Sequence, residues 1–291
     1  MSWMCSYCYR WRGSANVMSA GSSVCGKANM RSIRQWSRAA LVALIFVAGL
    51  GAVGLAFPLL GRVPSRLARG AQDRIQVFWY GSLLWVLGVR VHASGEPSDE
   101  AMLWVSNHVS WLDIVVLGAH RPLIFVAKSE VGEWPIVGFL ARGTDTLLVR
   151  RGDAASSRET AERMIWLLRR RRAVALFPEG TSSCGAGVLR FHARLFGPAA
   201  QVGAPVQAIA IAYRGHGAAC VPFIGQDAFL PHLWRLLAEP RVDVSLSFCS
   251  PLMAGRDGRD RLAEQTRLQI VGALADASQI GVAGDRLRTQ G

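Results

Sequence analysis

Apolar and polar positions divide this chain into three textures. Residues 1 to 35 are polar and aperiodic, containing serine, glycine and arginine, and read as a disordered tail. From 36 to 88 the chain is dominated by apolar runs and reads as membrane-anchoring helices. Ala39 to Leu60 carries no charged residue and is long enough to cross a hydrocarbon core of about 30 Å. Ile75 to Val89 is apolar and aromatic but short for a span, which suits an interfacial or re-entrant helix. Between these two runs, Arg62, Arg66, Arg69 and Arg74 form a basic collar. From 89 to 291 the texture becomes that of a globular α/β domain. Short apolar runs at Val89–Ala93, Met102–Val105, Leu123–Ala127, Thr146–Val149, Ala173–Phe177, Val206–Tyr213 and Val242–Phe248 read as strands. Helices are expected after Ser110 and over Trp134–Ala141, Ala154–Arg172 and Arg259–Ala277. The alternation predicts an α/β fold, a mostly parallel central sheet flanked by helices, with an N-terminal membrane helix.

Composition sharpens this picture. The 291 residues give room for one large domain plus an appendage, and 51% of them are hydrophobic. A mean hydropathy of +0.23 suits a membrane-attached protein. Thirty-three Lys and Arg against 20 Asp and Glu give a net charge of +13, a field that favours anionic lipid, nucleic acid or phosphorylated substrates. Aromatic-interleaved basic repeats, zinc-finger spacing and basic heptad helices are all missing, so membrane lipids are the expected partner and nucleic acid is not. The six cysteines are scattered, and Cys5 with Cys8 makes a lone C-x-x-C, so neither a disulfide framework nor a metal site is indicated. No apolar core follows the early arginines closely enough for a signal peptide, and Met30 stands as an alternative start.

Two glycine patterns are decoys, and no cofactor is expected. Gly21 to Lys27 has phosphate-loop spacing, but Ala28 replaces the magnesium-binding hydroxyl and no strand precedes it. Gly49 to Gly54 matches a dinucleotide fingerprint, yet the residues after it are wholly apolar and meet Pro58 within a turn. Small residues for close helix packing explain that second pattern better.

The chemistry concentrates on NHVSWLD, Asn107 to Asp113. Five positions on a helix are about 140° of rotation, so His108 and Asp113 share no helical face. They converge only if His108 lies in a turn and Asp113 in the first helical turn after it. There Asp113 would hold one ring nitrogen and leave the other as a general base. A satisfied turn, with Asn107 as cap, would use the same residues. Three further strand ends carry polar groups: Lys128, Arg150 with Arg151, and the turn Pro178-Glu179-Gly180-Thr181. Strand C-termini are where such folds collect their sites.

These residues resemble the glycerolipid acyltransferases of the lysophosphatidate acyltransferase type. The NH-x4-D motif is matched by Asn107, His108 and Asp113, the arginine-terminated strand by TLLVRR, and FPEGT by Phe177 to Thr181. The fourth motif, PVQAIAIAY, has Ala208 and Ala210 where the family usually carries a proline. The likeness spans roughly Val89 to Pro251. It implies an O-acyltransferase of a bacterial cytoplasmic membrane, its catalytic domain on the cytoplasmic side. The acyl chain would pass from acyl-carrier protein or acyl-CoA to the hydroxyl of a lysolipid. His108 would be the base and Asp113 its orienting carboxylate. Arg150, with Lys128 and Arg151 beside it, would hold the head group, and Glu179, Gly180 and Thr181 would bind the acceptor backbone. Lysophosphatidate is the acceptor the family favours. Ser182 stands where the family commonly has arginine, and LRFHARLFGPAA with FLPHLWRLL is similar to the branch that acylates lyso-ornithine lipid. A thioester hydrolase, with water in place of the acceptor, is the rival activity.

Overall fold

The computed structural model describes residues 23–62, 64–98, 102–253 and 258–288. Residues 1–22, and with them Cys5 and Cys8, lie outside the described set. The chain enters through helix α1 (Ser23–Gly51), a π-helical turn (Ala52–Ala56) and a short α2 (Phe57–Leu60). Helix α3 (Ser65–Leu87) doubles back and leads into the sheet. The strands are β1 (Val89–Ser94), β2 (Leu103–Ser106), β3 (Ile124–Lys128), β4 (Leu147–Val149), β5 (Val174–Leu176), β6 (Val206–Arg214) and β7 (Val242–Phe248). Between them lie α4 (Leu112–Gly118), α5 (Ser129–Glu133), α6 (Pro135–Gly143), α7 (Ala154–Arg169), α8 (Gly197–Val202) and α9 (Phe229–Ala238), and α10 (Gly258–Arg288) closes the chain.

The seven strands run in the order β1-β7-β6-β2-β5-β3-β4, and every pairing is parallel except β6 with β7. The expected α/β architecture is therefore the observed one. The two-residue period of the strands sorts side chains into two cores. On one face Trp104, Ala175, Ile209 and Ile211 pack with α3, α4 and α9 through Leu84, Leu112, Val116 and Leu236. On the other, Leu103, Val105, Leu176, Ala208 and Ala210 pack with α7, α8 and α10 through Met164, Ala199 and Ile270. Ala208 and Ala210 are 0% and 2% exposed in a strand paired on both sides, where their backbone amides remain available to the ladders.

Several expectations are corrected. Residues 23–35, read as tail, are helical, because α1 starts at Ser23. Part of what holds this end of the helix is the bare C-terminus of α9: Arg34 donates from Nε and Nη2 to the Ala238 carbonyl (3.0 and 2.6 Å), and Arg38 donates from Nη2 to Pro240 (3.1 Å). The basic collar and the supposed re-entrant helix are one element, α3, which carries Arg66, Arg69 and Arg74 in its first half. This helix buries Tyr80, Leu83, Leu84 and Leu87 against the protein, so its C-terminal part packs on the α/β domain. The helix expected to reach Arg172 stops at Arg169, and Arg171 follows with φ 55° while Arg172 turns to Asp73 at 3.3 Å.

The glycine run Gly49–Gly54 is continuous helix, as its apolar flanks demanded. Gly49 sits against α3: a Cβ there would come within 2.7 Å of Trp79 Nε1, which donates to the Ile45 carbonyl at 2.9 Å. Asn29–Leu60 is the one described helical stretch long and apolar enough to cross a membrane, and only 11% of its most apolar window is buried. Phe78 and Trp85 of α3, seven residues apart on one outer face, are 77% and 75% exposed.

Candidate active site

Strand β2 ends at Ser106, and the chain breaks from the sheet at Asn107. The Asn107 carboxamide replaces the missing ladder rungs: its Nδ2 donates to the Ile211 carbonyl and its Oδ1 accepts from the Ile211 amide, both at 2.9 Å. This clamp to β6, rather than a helix cap, is what Asn107 does. It fixes the loop that carries His108.

His108 lies in the turn and Asp113 in the first turn of α4, the only arrangement that lets them meet. His108 Nδ1 is 2.8 Å from Asp113 Oδ2. The same oxygen accepts from the amides of Val109 (2.7 Å) and Ser110 (2.9 Å), and Oδ1 accepts from the Tyr213 hydroxyl at 2.6 Å. With its side chain fully buried and donors on both oxygens, Asp113 is fixed in place to hold the ring in the Nδ1–H tautomer. Phe177 stacks on the imidazole at 4.1 Å between centroids and 19° between planes. The His108 side chain keeps 20% of its surface exposed, a way in for a reactant at Nε2.

Glu179 faces two backbone amides. Its Oε1 accepts from the His108 amide at 2.8 Å and its Oε2 from the Leu189 amide at 3.0 Å. Both oxygens serve backbone, so the residue ties the FPEGT turn to the histidine loop. Burial pushes its pKa up, against the pull of the two amides. Gly180 has φ +70°, a conformation glycine adopts freely, and a Cβ there would meet His192 at 3.2 Å and Arg151 Nη2 at 3.5 Å. Thr181 is exposed beside it. Ser182 donates from its hydroxyl to the Phe223 carbonyl, and the Ser183 amide donates to the His108 carbonyl at 2.8 Å.

Among the basic residues the structure separates the two arginines. Arg150 is 74% exposed and leans toward Asp153 at 3.8 Å. Arg151 lies against Gly180, and Lys128 is close enough that the Arg151 charge, after partial burial, lowers the lysine's pKa. Glu130 lies within electrostatic reach of both cations. The structure therefore joins His108, Asp113 and Glu179 by direct hydrogen bonds and sets Gly180, Arg151 and Lys128 beside them.

Three contributors escaped the sequence reading. Tyr213 sits in a strand that reads as plain apolar core. His192 stands in the sequence only as one letter of LRFHARLFGPAA, yet its ring packs on Gly180 while its amide donates to Pro178 at 2.9 Å. Phe177 was visible only as the first letter of a motif. His232, by contrast, is a core histidine: fully buried, accepting from Trp111 Nε1 at 3.0 Å, with burial holding its pKa down. Among the described residues no cluster of three metal-ligating side chains occurs.

Comparison with known proteins fits this geometry. The sequence profile of the Acyltransferase family matches residues 88–212, which include every residue just placed at the centre except Tyr213. A lyso-ornithine lipid O-acyltransferase of Pseudomonas aeruginosa is 40% identical over 237 residues, 78% of this chain and 92% of that protein. A 1-acyl-sn-glycerol-3-phosphate acyltransferase of Neisseria gonorrhoeae is 30% identical, covering 67% of this chain and 78% of its own length. The fold is that of the Thermotoga maritima acyltransferase PlsC, with a TM-score of 0.64 at 19% identity over 86% of this chain and 98% of that one. On the motif residues, their assembly beyond the C-terminal ends of the central strands β2 and β5 and these relatives, the chain belongs to the Acyltransferase family and is an acyltransferase acting on lysolipids.

Proposed function

We propose that the protein transfers an acyl chain from a carrier-protein or CoA thioester to the free hydroxyl of lyso-ornithine lipid, at the surface of a bacterial cytoplasmic membrane. The observation that carries this acceptor is Ser182. Where related enzymes commonly place an arginine after Glu-Gly-Thr, this chain has a hydroxyl already engaged by the Phe223 carbonyl. The head-group end thus offers Arg151 and Lys128, with Glu130 within reach of both. Such a mixed set suits a carboxylate and an ammonium better than a phosphate dianion. The order of the two acceptors expected from the family is reversed on this ground, and the relative at 40% identity supports the reversal.

In the reaction, His108 Nε2 accepts the proton of the acceptor hydroxyl as its oxygen attacks the thioester carbonyl. Asp113 stabilises the imidazolium so formed. The tetrahedral centre collapses, the C–S bond breaks, and the thiolate leaves with the proton from His108. An ester and a free thiol result, with no group on the enzyme acylated. Arg151 takes over the head-group contact first expected of Arg150, with Lys128 beside it. Glu179 and Gly180 shape the turn that both sides of the site share. The exposed apolar face of α1, and Phe78 and Trp85 on α3, would seat the domain on the bilayer from which the lysolipid is drawn.

The test is acyl transfer from one labelled thioester with lyso-ornithine lipid and lysophosphatidate offered separately. Preferential acylation of lyso-ornithine lipid is expected. Acylation of lysophosphatidate alone would overturn the acceptor. Label released as fatty acid whichever lipid is present would favour a hydrolase.

A further inference from the structure

Strand β6 faces the α4 side of the sheet with every second residue: Ile209 and Ile211 enter that core, and Tyr213 packs against it. Asn107 grips the strand at Ile211, two residues earlier, which sets the height of Tyr213 over the start of α4. Its hydroxyl thereby reaches Asp113 Oδ1 at 2.6 Å, the oxygen that His108 does not use. From this geometry we infer that Tyr213 is a positioning residue of the catalytic pair: its hydroxyl holds the Asp113 carboxylate in the plane of the imidazole and tempers its charge.

The inference rests on His108 acting as the base. Asp113 has donors on both edges, and Tyr213 is the one on Oδ1. Without it the carboxylate would keep its amide and histidine contacts on Oδ2 but could tilt about them. Burial and the neighbouring carboxylate hold the phenol well above its ordinary pKa, so it remains a donor throughout the working range. Glu179, from the turn after β5, reaches the pair through the His108 amide, and Arg151 and His192 lie against Gly180 in that same turn. None of these touches Oδ1. A shared donor also draws charge from Asp113 and so limits how strongly the aspartate stabilises imidazolium. Removal of the hydroxyl should raise the affinity of His108 for its proton.

Tyr213→Phe keeps the ring and deletes the donor. The expected result is a fall in kcat of about ten-fold, the scale of a hydrogen bond to a charged group. The acid limb of the kcat/KM profile should move to higher pH, because the base must now shed a more tightly held proton, and the acceptor KM should stay near wild type. Site-specific replacement of Tyr213 by a fluorinated tyrosine, a stronger donor, should move the same limb to lower pH without loss of fold. Wild-type kcat and an unmoved limb in Tyr213→Phe would overturn the inference. So would a loss of activity with an unmoved limb, which marks packing alone, or a fluorinated variant with no shift. His108→Ala run in parallel separates the two claims: retained turnover there removes the base itself, whereas a dead His108→Ala beside a Tyr213→Phe of wild-type behaviour removes only the role of the tyrosine.

Discussion

The two ends of the active site are built in opposite ways. At the base end every contact is short and enclosed: Asp113 is fully buried with donors on both oxygens, and Glu179, 5% exposed, spends both of its oxygens on backbone amides. At the head-group end, Lys128, Arg150 and Arg151 are exposed side chains on the rims of strands, and Arg150 is 74% open to solvent. A buried polar network tolerates few substitutions, since each unpaired group costs on the order of 1–3 kcal/mol. An exposed cation can be exchanged cheaply. The chemistry of the reaction is fixed where substitution is expensive, and the choice of acceptor is left where it is not.

The sharpest way to break this contrast is at Asp113. Asp113→Asn keeps the shape, abolishes the charge and forces the wrong tautomer on His108, so kcat should fall by about 10³-fold or more, measured as acyl transfer at saturating acceptor. A loss of less than ten-fold would mean that the aspartate only ties its turn.

Glu179 gives the next largest effect, and it should appear in stability as well as activity. Glu179→Gln leaves one of two amides facing an NH₂ group, a cost of about 1–3 kcal/mol that a thermal melt would register. Burial raises the Glu179 pKa above that of the unfolded chain, so the folded protein holds this proton more tightly. Its protonation therefore contributes stability below the unfolded pKa, and that contribution is lost as pH rises through the raised folded value. The melting temperature of the wild type should decline across this window in a way that Glu179→Gln does not.

At the head-group end the two arginines should part company. Arg151→Ala should raise the acceptor KM about ten-fold with kcat less affected, while Arg150→Ala should stay within about two-fold of wild type. Equal effects would erase the distinction drawn from Gly180. Lys128→Gln should give the smallest change, a KM shift of about two-fold, because the cation is exposed and shares its field with Arg151.

Where the sequence sufficed and where it failed follows the same division. The strand-helix alternation was legible because strands buried on both faces read as short continuous apolar runs, as LWVS in β2 and VAL in β5 do. His108, Asp113 and Glu179 were legible because their spacing fits one turn and one motif. Tyr213 was not, since a tyrosine ending an apolar strand looks like core, and only the Asn107 clamp across 104 positions of sequence sets its reach. The motif strand TLLVRR points to Arg150 ahead of Arg151 for the head group. The Arg150 side chain leans to Asp153, three residues on, while only the fold brings Arg151 against Gly180. The helical start of α1 was hidden for a similar reason: a polar segment became helix by docking Arg34 and Arg38 on α9, some 200 positions away. Contacts of long sequence separation decided Tyr213, Arg151 and the start of α1.

The measurement that bears most directly on the account is turnover of purified wild-type and His108→Ala protein with a labelled acyl thioester and lyso-ornithine lipid. The account predicts labelled ornithine lipid from the wild type and its loss in His108→Ala, with partition into lipid vesicles unchanged between the two. Undiminished product from His108→Ala would contradict it, since no other described group stands in the same place with a carboxylate behind it.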